Sequence, residues 1–394
     1  MTAAVTHMAK TFAAKQVIAY RPSIQQPSHV SHSVSPVHDK KHVQFQAQIA
    51  TRAPARCTLP LPIAFAAAHW EGDVLKSCKH VAEQAAWVKV QDHKIRDVAD
   101  WMAYEEFGEA DGSMLFDFGS DADVIMDVIL AINTLNFAFT DFASGVKFEV
   151  NYLGKVWCDS EAMVACLHRA VQAGVPFFNG SYLSAVSRAQ LAAVFAGTIE
   201  MPMLDERVAI LNDVGRVLCD KHAGRFCNFV RACSAKLYDG GNGILERLVE
   251  DFPRFSDTIT FGGHRVHVFK LAQLAIWSLH LTLSPRGLWR LEDPHMLTAF
   301  ADYIVPVGLR VMGILQYAPS LEADINSLTQ IPRDSAAEVE LRACSVYAIA
   351  RLTDELNLRR AGMKPLLMPQ VDFRFWKSYH ATHWPHHLTR TIMY

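Results

Sequence analysis

A mainly helical single domain with one or two short β-hairpins is the fold class this sequence predicts, on three observations. Apolar residues recur at helical spacing through most of the chain beyond residue 70. Alternation of apolar and polar residues is confined to two short stretches, each folded about a Gly-containing pair. No strand–helix rhythm and no fixed-period repeat runs through the chain, which disfavours a parallel doubly wound sheet.

The elements follow in order. Residues 73–85 read as an amphipathic helix, and WVKV (87–90) as an extended piece feeding a second helix over 91–108. Ser120 is the expected N-cap of a long apolar helix over 121–139, whose first turn is crowded with acids. KFEVNYLGKVWC (147–158) predicts a hairpin about Leu153-Gly154. Helices are expected over 160–172 and over 187–195, the second closed by Gly197. Pro202 opens another over 205–222. TITFGGHRVHVF (258–269) predicts a second hairpin at Gly262-Gly263, passing into a helix over 270–281. The last helix is expected over 335–356, with an aromatic-rich tail after it.

Composition narrows the class of function. The chain has 394 residues, 51% of them hydrophobic, and a formal charge of −2. That length can bury a sizeable core, and the balance argues against a large nucleic-acid footprint. No run of about 18 uncharged apolar residues is present, so no membrane span is expected. The eight cysteines include no C-x-x-C pair, and most, such as Cys166 and Cys219, lie in apolar helical patterns. Reduced thiols fit better than a zinc ribbon or a disulfide framework.

Residues 1–70 differ in kind, with one acid, Asp39, against seven lysines and arginines. Residues 26–42 lack a periodic apolar pattern and read as disordered. The extension over 1–58 reads either as an untargeted tail on a cytoplasmic protein or as a mitochondrial or plastid presequence. The folded domain is expected over 59–394.

Two motifs invite functional readings that their contexts do not support. DGGNG (239–243) opens a helical segment but lacks a preceding strand and a Gly-Lys-Ser/Thr, so it reads as a surface loop. HATHWPHH (380–387) is rich in imidazole but contains Pro385 and no acid or thiol ligand. It reads as a packed or solvated cluster, and no metal site is expected.

Residues 296–315, MLTAFADYIVPVGLRVMGIL, carry only two charges, Asp302 and Arg310. A carboxylate in such surroundings must be paired, protonated or in use. If the run is a helix, Pro306 deprives the carbonyl of residue 302 of its partner and bends the helix there, between the rings of Phe300 and Tyr303. A carboxylate capping or pairing within a core helix is the plain reading; a working carboxylate is the other.

Seven segments in order bear on that choice: TLNFAF (134–139), MPMLDER with ILNDVG (201–215), FKLAQ (269–273), FADYIVP (300–306), EVELRACS (338–345), VDFRFW (371–376) and the closing PHHLTRTIMY (385–394). With them the chain resembles the queuosine salvage proteins, the queuosine 5′-phosphate N-glycosylase/hydrolase family, from about residue 87 to residue 394. The resemblance implies a helical domain related to the helix-hairpin-helix DNA glycosylases. It also implies an N-glycosyl hydrolase that releases queuine from queuosine 5′-monophosphate for reuse in tRNA, without a cofactor. The expected partner is that small molecule, with no direct nucleic acid and no membrane, and the protein itself is expected to be a monomer. A non-catalytic queuosine-nucleotide binding protein is the alternative, and a DNA-repair glycosylase a third reading.

By the same resemblance Asp302 is the catalytic aspartate and Phe300 a base-contacting ring, with Tyr303 beside them. Asp372 is assigned to the base, because one carboxylate can accept both N–H donors of a guanine-like edge, and Phe373 packs on it. The family often has Tyr in place of Phe373 and Asp in place of Lys377, a position that contacts the cyclopentene diol. Its base-site histidine has no counterpart in residues 113–120. For the 5′-phosphate, Lys270 and Arg342 are each a lone base in an apolar pattern. Arg342 has Glu338 one turn away as an internal partner, which leaves Lys270.

Overall fold

Most stretches that carry the 3.6-residue pattern are helical, and the strands are short and paired two by two. The computed structural model describes residues 68–107 and 112–394. The readings made on residues 1–58, on the domain start at 59 and on Cys57 lie outside them. The chain runs through α1 (Asp73–Gln84), β1 (Val88–Val90), α2 (Asp92–Met102), α3 (Ala122–Thr134), β2 (Glu149–Tyr152), β3 (Lys155–Cys158) and α4 (Asp159–Gln172). It continues through α5 (Gly180–Ala185), α6 (Arg188–Val194), α7 (Leu204–Lys221), α8 (Phe226–Ala232), α9 (Ile244–Asp251), β4 (Thr258–Phe261), β5 (His264–His267) and α10 (Lys270–Leu283). The last third holds α11 (Val305–Val311), β6 (Leu315–Tyr317), α12 (Pro319–Asn326), α13 (Ala336–Arg359) and α14 (Met368–Tyr379). The short helices α5, α8 and α12 have too few turns to show a period, and the sequence pattern did not mark them.

Both expected hairpins form. Leu153 and Gly154 turn β2 into β3 with φ of 52° and 75°, and Gly262 and Gly263 turn β4 into β5 with φ of 55° and 81°. Two successive residues at positive φ match the twist of the flanking strands. A third antiparallel pair is non-local: β1 lies on β6, Val88 opposite Tyr317.

The 24-residue helix α13 is the central strut. Val339, Leu341, Ala343, Val346, Ile349 and Leu352 are all buried, so the helix is enclosed by the core on every side, and its charged Glu338, Glu340 and Arg342 are buried with them. It packs on α1, α2, α11 and α14. α11 and α14 approach closely because Gly308 has no side chain; a Cβ there would stand 2.7 Å from both Phe375 and Tyr379. No helix among the described residues is long and apolar enough to cross a membrane.

Four local readings are corrected. The cap of α3 is Asp121, whose Oδ1 accepts from Asp123 N at 2.8 Å and Val124 N at 3.1 Å, and not Ser120. That helix stops at Thr134 because buried Arg207 of α7 captures the carbonyls that would continue it. The guanidinium donates to Leu135 O (2.6 Å), Ala138 O (2.8 Å), Phe137 O and, from Nε, Pro202 O (2.9 Å). Cys219 is exposed on α7, whereas Cys166 is buried. The aromatic tail contains a helix, α14. The DGGNG loop, for its part, spends its N–H groups on the chain's own carboxylate: Glu246 accepts from Asp239, Gly241 and Gly243.

Candidate active site

Residues 296–315 are not one helix. The stretch from Leu297 to Ile304 is irregular, and α11 begins only at Val305. Pro306 therefore lies in the first turn, where its missing N–H costs nothing, and marks a start instead of a bend. Asp302 caps that start: Oδ1 accepts from Ile304 N (2.8 Å) and Val305 N (3.0 Å). Its Oδ2 makes no hydrogen bond among the described residues. The capping role of the plain reading is thus real, yet it occupies one oxygen only.

An irregular, buried stretch must find partners for its backbone groups elsewhere. Three helices supply them. From α10, Gln273 accepts from Thr298 N (2.9 Å) and donates to Thr298 Oγ1 (2.8 Å). From α14, Asp372 Oδ1 accepts from Phe300 N at 2.9 Å. From α13, Arg342 Nε donates to Ala301 O at 3.4 Å. Each of these side chains belongs to one of the family-like segments, FKLAQ, VDFRFW and EVELRACS. Segments far apart in sequence thus converge on residues 298–301 and hold the start of FADYIVP.

Arg342 is itself held by Asp257, at 3.0 Å from Nη1 and 2.5 Å from Nη2. Burial works against the guanidinium charge, but the Asp257 carboxylate holds its pKa above the ordinary arginine value. Glu338, the partner expected from helical spacing, is farther away at 3.8 Å. Glu338 accepts instead from the Tyr394 hydroxyl (3.0 Å), which His387 Nε2 also meets at 3.1 Å. Burial pushes His387 down to about 3, so its ring is neutral. Tyr394 completes the enclosure, its ring 4.7 Å from the Arg342 guanidinium. Asp257 was not singled out from sequence. Its only local signal is an acid just before the second hairpin, three residues after Arg254.

The charges next to Asp302 come from Lys270 and Asp372. Lys270 opens α10 after Phe269, which takes a left-handed φ of 50°. The lysine is 7% exposed, and no carboxylate among the described residues lies within ion-pair distance of its ammonium. Burial lowers its pKa, and the field of Asp302 resists that. Asp372 is 5% exposed. Burial drives its pKa well above the carboxylate range and Asp302 adds to that; the Phe300 N–H and Lys270 oppose it. The buried Lys270 and Asp372 thus flank the half-buried Asp302, a grouping of charges of the kind acid–base sites use.

Of the remaining sequence-named residues, Phe300 is buried and Tyr303 half-buried. The Tyr303 ring packs 4.5 Å from that of His386, and burial followed by the Asp302 charge raises its phenol above the usual range. Phe373 lies half-buried one position beyond Asp372, stacked at 6.2 Å on Trp376. Lys377, one turn farther along α14, is exposed. The structure gathers Asp302, Phe300, Tyr303, Asp372 and Lys270; it leaves Lys377 at the surface. No group of three His, Cys, Asp or Glu side chains among the described residues is arranged to hold a metal.

Comparison with known proteins agrees with this convergence. The family model described as queuosine salvage protein matches residues 117–394. A Sphaerobacter thermophilus protein named queuosine 5′-phosphate N-glycosylase/hydrolase is 32% identical over 324 residues, covering 82% of this chain and 97% of its own length. A Mus musculus protein of the same name is 30% identical over 278 residues, 68% of this chain and 81% of the relative. One from Schizosaccharomyces pombe is 26% identical over 321 residues, 77% and 90% of the two chains. All the segments that build the site lie inside the matched region, and the chain belongs to the queuosine salvage protein family.

Proposed function

We propose that this chain hydrolyses the N-glycosidic bond of queuosine 5′-monophosphate, releasing queuine. The observation that carries the reading is the fixation of the Thr298–Ala301 backbone, which leads directly into Asp302, by Gln273, Asp372 and Arg342. A site held this firmly is preorganised, and preorganised charge is the main lever for a reaction of this type.

Queuine is a 7-deazaguanine, so carbon stands where a purine would accept the proton that eases its departure. The barrier must fall on the ribose side. Asp302, with Oδ1 fixed by two N–H donors, presents Oδ2 to positive charge growing at C1′. Asp372 has one oxygen on the Phe300 N–H and the other for the base edge, while Phe300 and Phe373 offer faces for stacking, at about 1–3 kcal/mol per ring. Tyr303 encloses the sugar beside Asp302. Lys270 sits among carboxylates that would repel a phosphate dianion, which favours the sugar hydroxyls over the 5′-phosphate as its contact. Lys377 stands at the rim, toward the cyclopentene diol.

By the same reading the domain is 59–394, a monomer akin to the helix-hairpin-helix glycosylases, acting on a free nucleotide. A chain begun at Leu59 should turn over like the full one. The test of function is incubation of the protein with queuosine, its 5′-monophosphate and a damaged DNA duplex, with chromatography of the released bases. Queuine from the monophosphate is expected. Binding without release would leave a nucleotide carrier, and a base freed from the duplex a repair enzyme.

A further inference from the structure

The closing segment, PHHLTRTIMY (385–394), contains a ring that the functions above do not use. His386 is half-buried against Tyr303, the residue after Asp302, at a ring-centroid distance of 4.5 Å. Its Nδ1 lies 2.9 Å from the carbonyl oxygen of His387. A carbonyl can only accept, so Nδ1 carries the proton and Nε2 is left with a lone pair. The segment is not free to drift. His387 is locked to Tyr394, and Leu388 O accepts from Ile331 N at 2.8 Å.

Resting on the hydrolase reading, we propose that His386 is a catalytic residue of this site, the base that takes the proton from the attacking water. As the C1′–N9 bond breaks, its electron pair leaves with the base. The water oxygen bonds to C1′, one water proton passes to His386 Nε2, and that proton then returns to the departing queuine nitrogen. Water is consumed, ribose 5-phosphate and queuine are formed, and the imidazole ends as it began. Asp302 is thereby released from the water and left to the sugar charge.

The surroundings suit a ring that must be neutral at rest and cationic briefly. Burial lowers the pKa of His386; the His387 carbonyl and the Asp302 carboxylate favour the imidazolium, and Lys147, from the loop before β2, opposes it. Tyr303 and His387 face the ring as neutral groups. Lys147 is itself paired with Asp159 at 2.8 Å, so its opposition is partly countered.

His386→Asn and His386→Gln test this. Asn keeps a donor near the Nδ1 position and lacks Nε2; Gln places an amide near Nε2 that is no base. Both are expected to lower kcat by about 10²–10⁴-fold with queuine affinity nearly unchanged. The wild-type acid limb of kcat, lying below the ordinary histidine pKa, should vanish in both. Circular dichroism and queuine binding establish that each variant is folded. Turnover within a few-fold of wild type, an acid limb retained, or a loss confined to affinity would each overturn the assignment while leaving the hydrolase reading intact. A wild-type protein that never releases queuine would overturn both.

Discussion

Asp372 Oδ1 lies 2.9 Å from the backbone nitrogen of Phe300 and accepts its hydrogen. One carboxylate thereby sets the position of the ring proposed to stack on the base and of the acceptor proposed to read its edge. The two contacts cannot be tuned separately, because α14 carries one and anchors the other. Gly308 lets α11, at whose start Asp302 sits, touch α14, which carries Asp372.

Asp372→Asn is expected to weaken queuine binding by about 1–3 kcal/mol, since the amide turns an N–H₂ toward a donor of the base. Affinity should also depend on pH. The pKa of Asp372 is raised in the empty protein, first by burial and then by Asp302. The ionised form that accepts two donors is therefore scarce until the pH climbs through that raised value. Queuine binding should tighten as pH rises across it and level off above. The group's contribution to folding stability runs the other way, being full below the ordinary aspartate pKa and lost across the same rise. Calorimetric titration of queuine at several pH values checks this, and the slope should be missing in the Asn variant.

Arg342→Met should destabilise the fold by about 3–5 kcal/mol, because it strands Asp257 as an unpaired buried charge. Adding Asp257→Asn removes that charge and should restore much of the stability. Activity should stay low in the double variant, since the carbonyl of Ala301 still lacks its donor. Urea unfolding and turnover, measured side by side, separate the two effects. Recovery of activity together with stability would show that Arg342 does not position the Asp302 loop.

How much of this was legible depends on the range of the forces involved. Helices with several turns, such as α7 and α13, and hairpins closed by Leu153-Gly154 and Gly262-Gly263 are written in local periods and turn residues. The end of α3 is not, because it is decided by Arg207 from some seventy residues away. Residues 296–315 misled for the same reason. Their apolar run reads as a helix, but Gln273, Arg342 and Asp372 take its backbone groups from three distant elements. Asp302, Asp372 and Lys270 are visible as charges in apolar or aromatic patterns; the resemblance gives Asp302 its role, whereas Lys270 is singled out only as a lone base. Asp257 and His386 acquire meaning only from neighbours that sequence does not place beside them.

Arg207→Lys should mark the cost of that distant control. A lysine offers three donors from one atom, without the planar fork that reaches four carbonyls. At least one buried carbonyl after α3 is left unpaired, a loss of about 1–3 kcal/mol. Thermal unfolding should shift downward by several degrees while affinity for queuine at low temperature persists. An unchanged melting temperature would mean that α3 ends for another reason.

Asp302 performs a structural and a chemical task with different oxygens, so substitution can separate them. Asparagine caps helices about as well as aspartate, and its amide oxygen can keep the contacts to Ile304 N and Val305 N. Asp302→Asn should therefore fold with nearly wild-type stability, whereas Asp302→Ala also loses the cap, at about 1 kcal/mol. Turnover in the Asn variant should fall by at least about 10²-fold, because the negative charge facing C1′ is gone in the transition state. Binding of queuine should not fall with it. The charge of Asp302 helps raise the pKa of Asp372, so its removal lets Asp372 ionise at lower pH, and the base should bind as well or better near neutrality. Loss of rate with binding preserved or improved is a signature that general unfolding cannot produce. Single-turnover kinetics on queuosine 5′-monophosphate and calorimetry with queuine decide it. If Asp302→Asn turns over at the wild-type rate, or if it loses affinity and rate in equal measure, Asp302 does not act on the sugar.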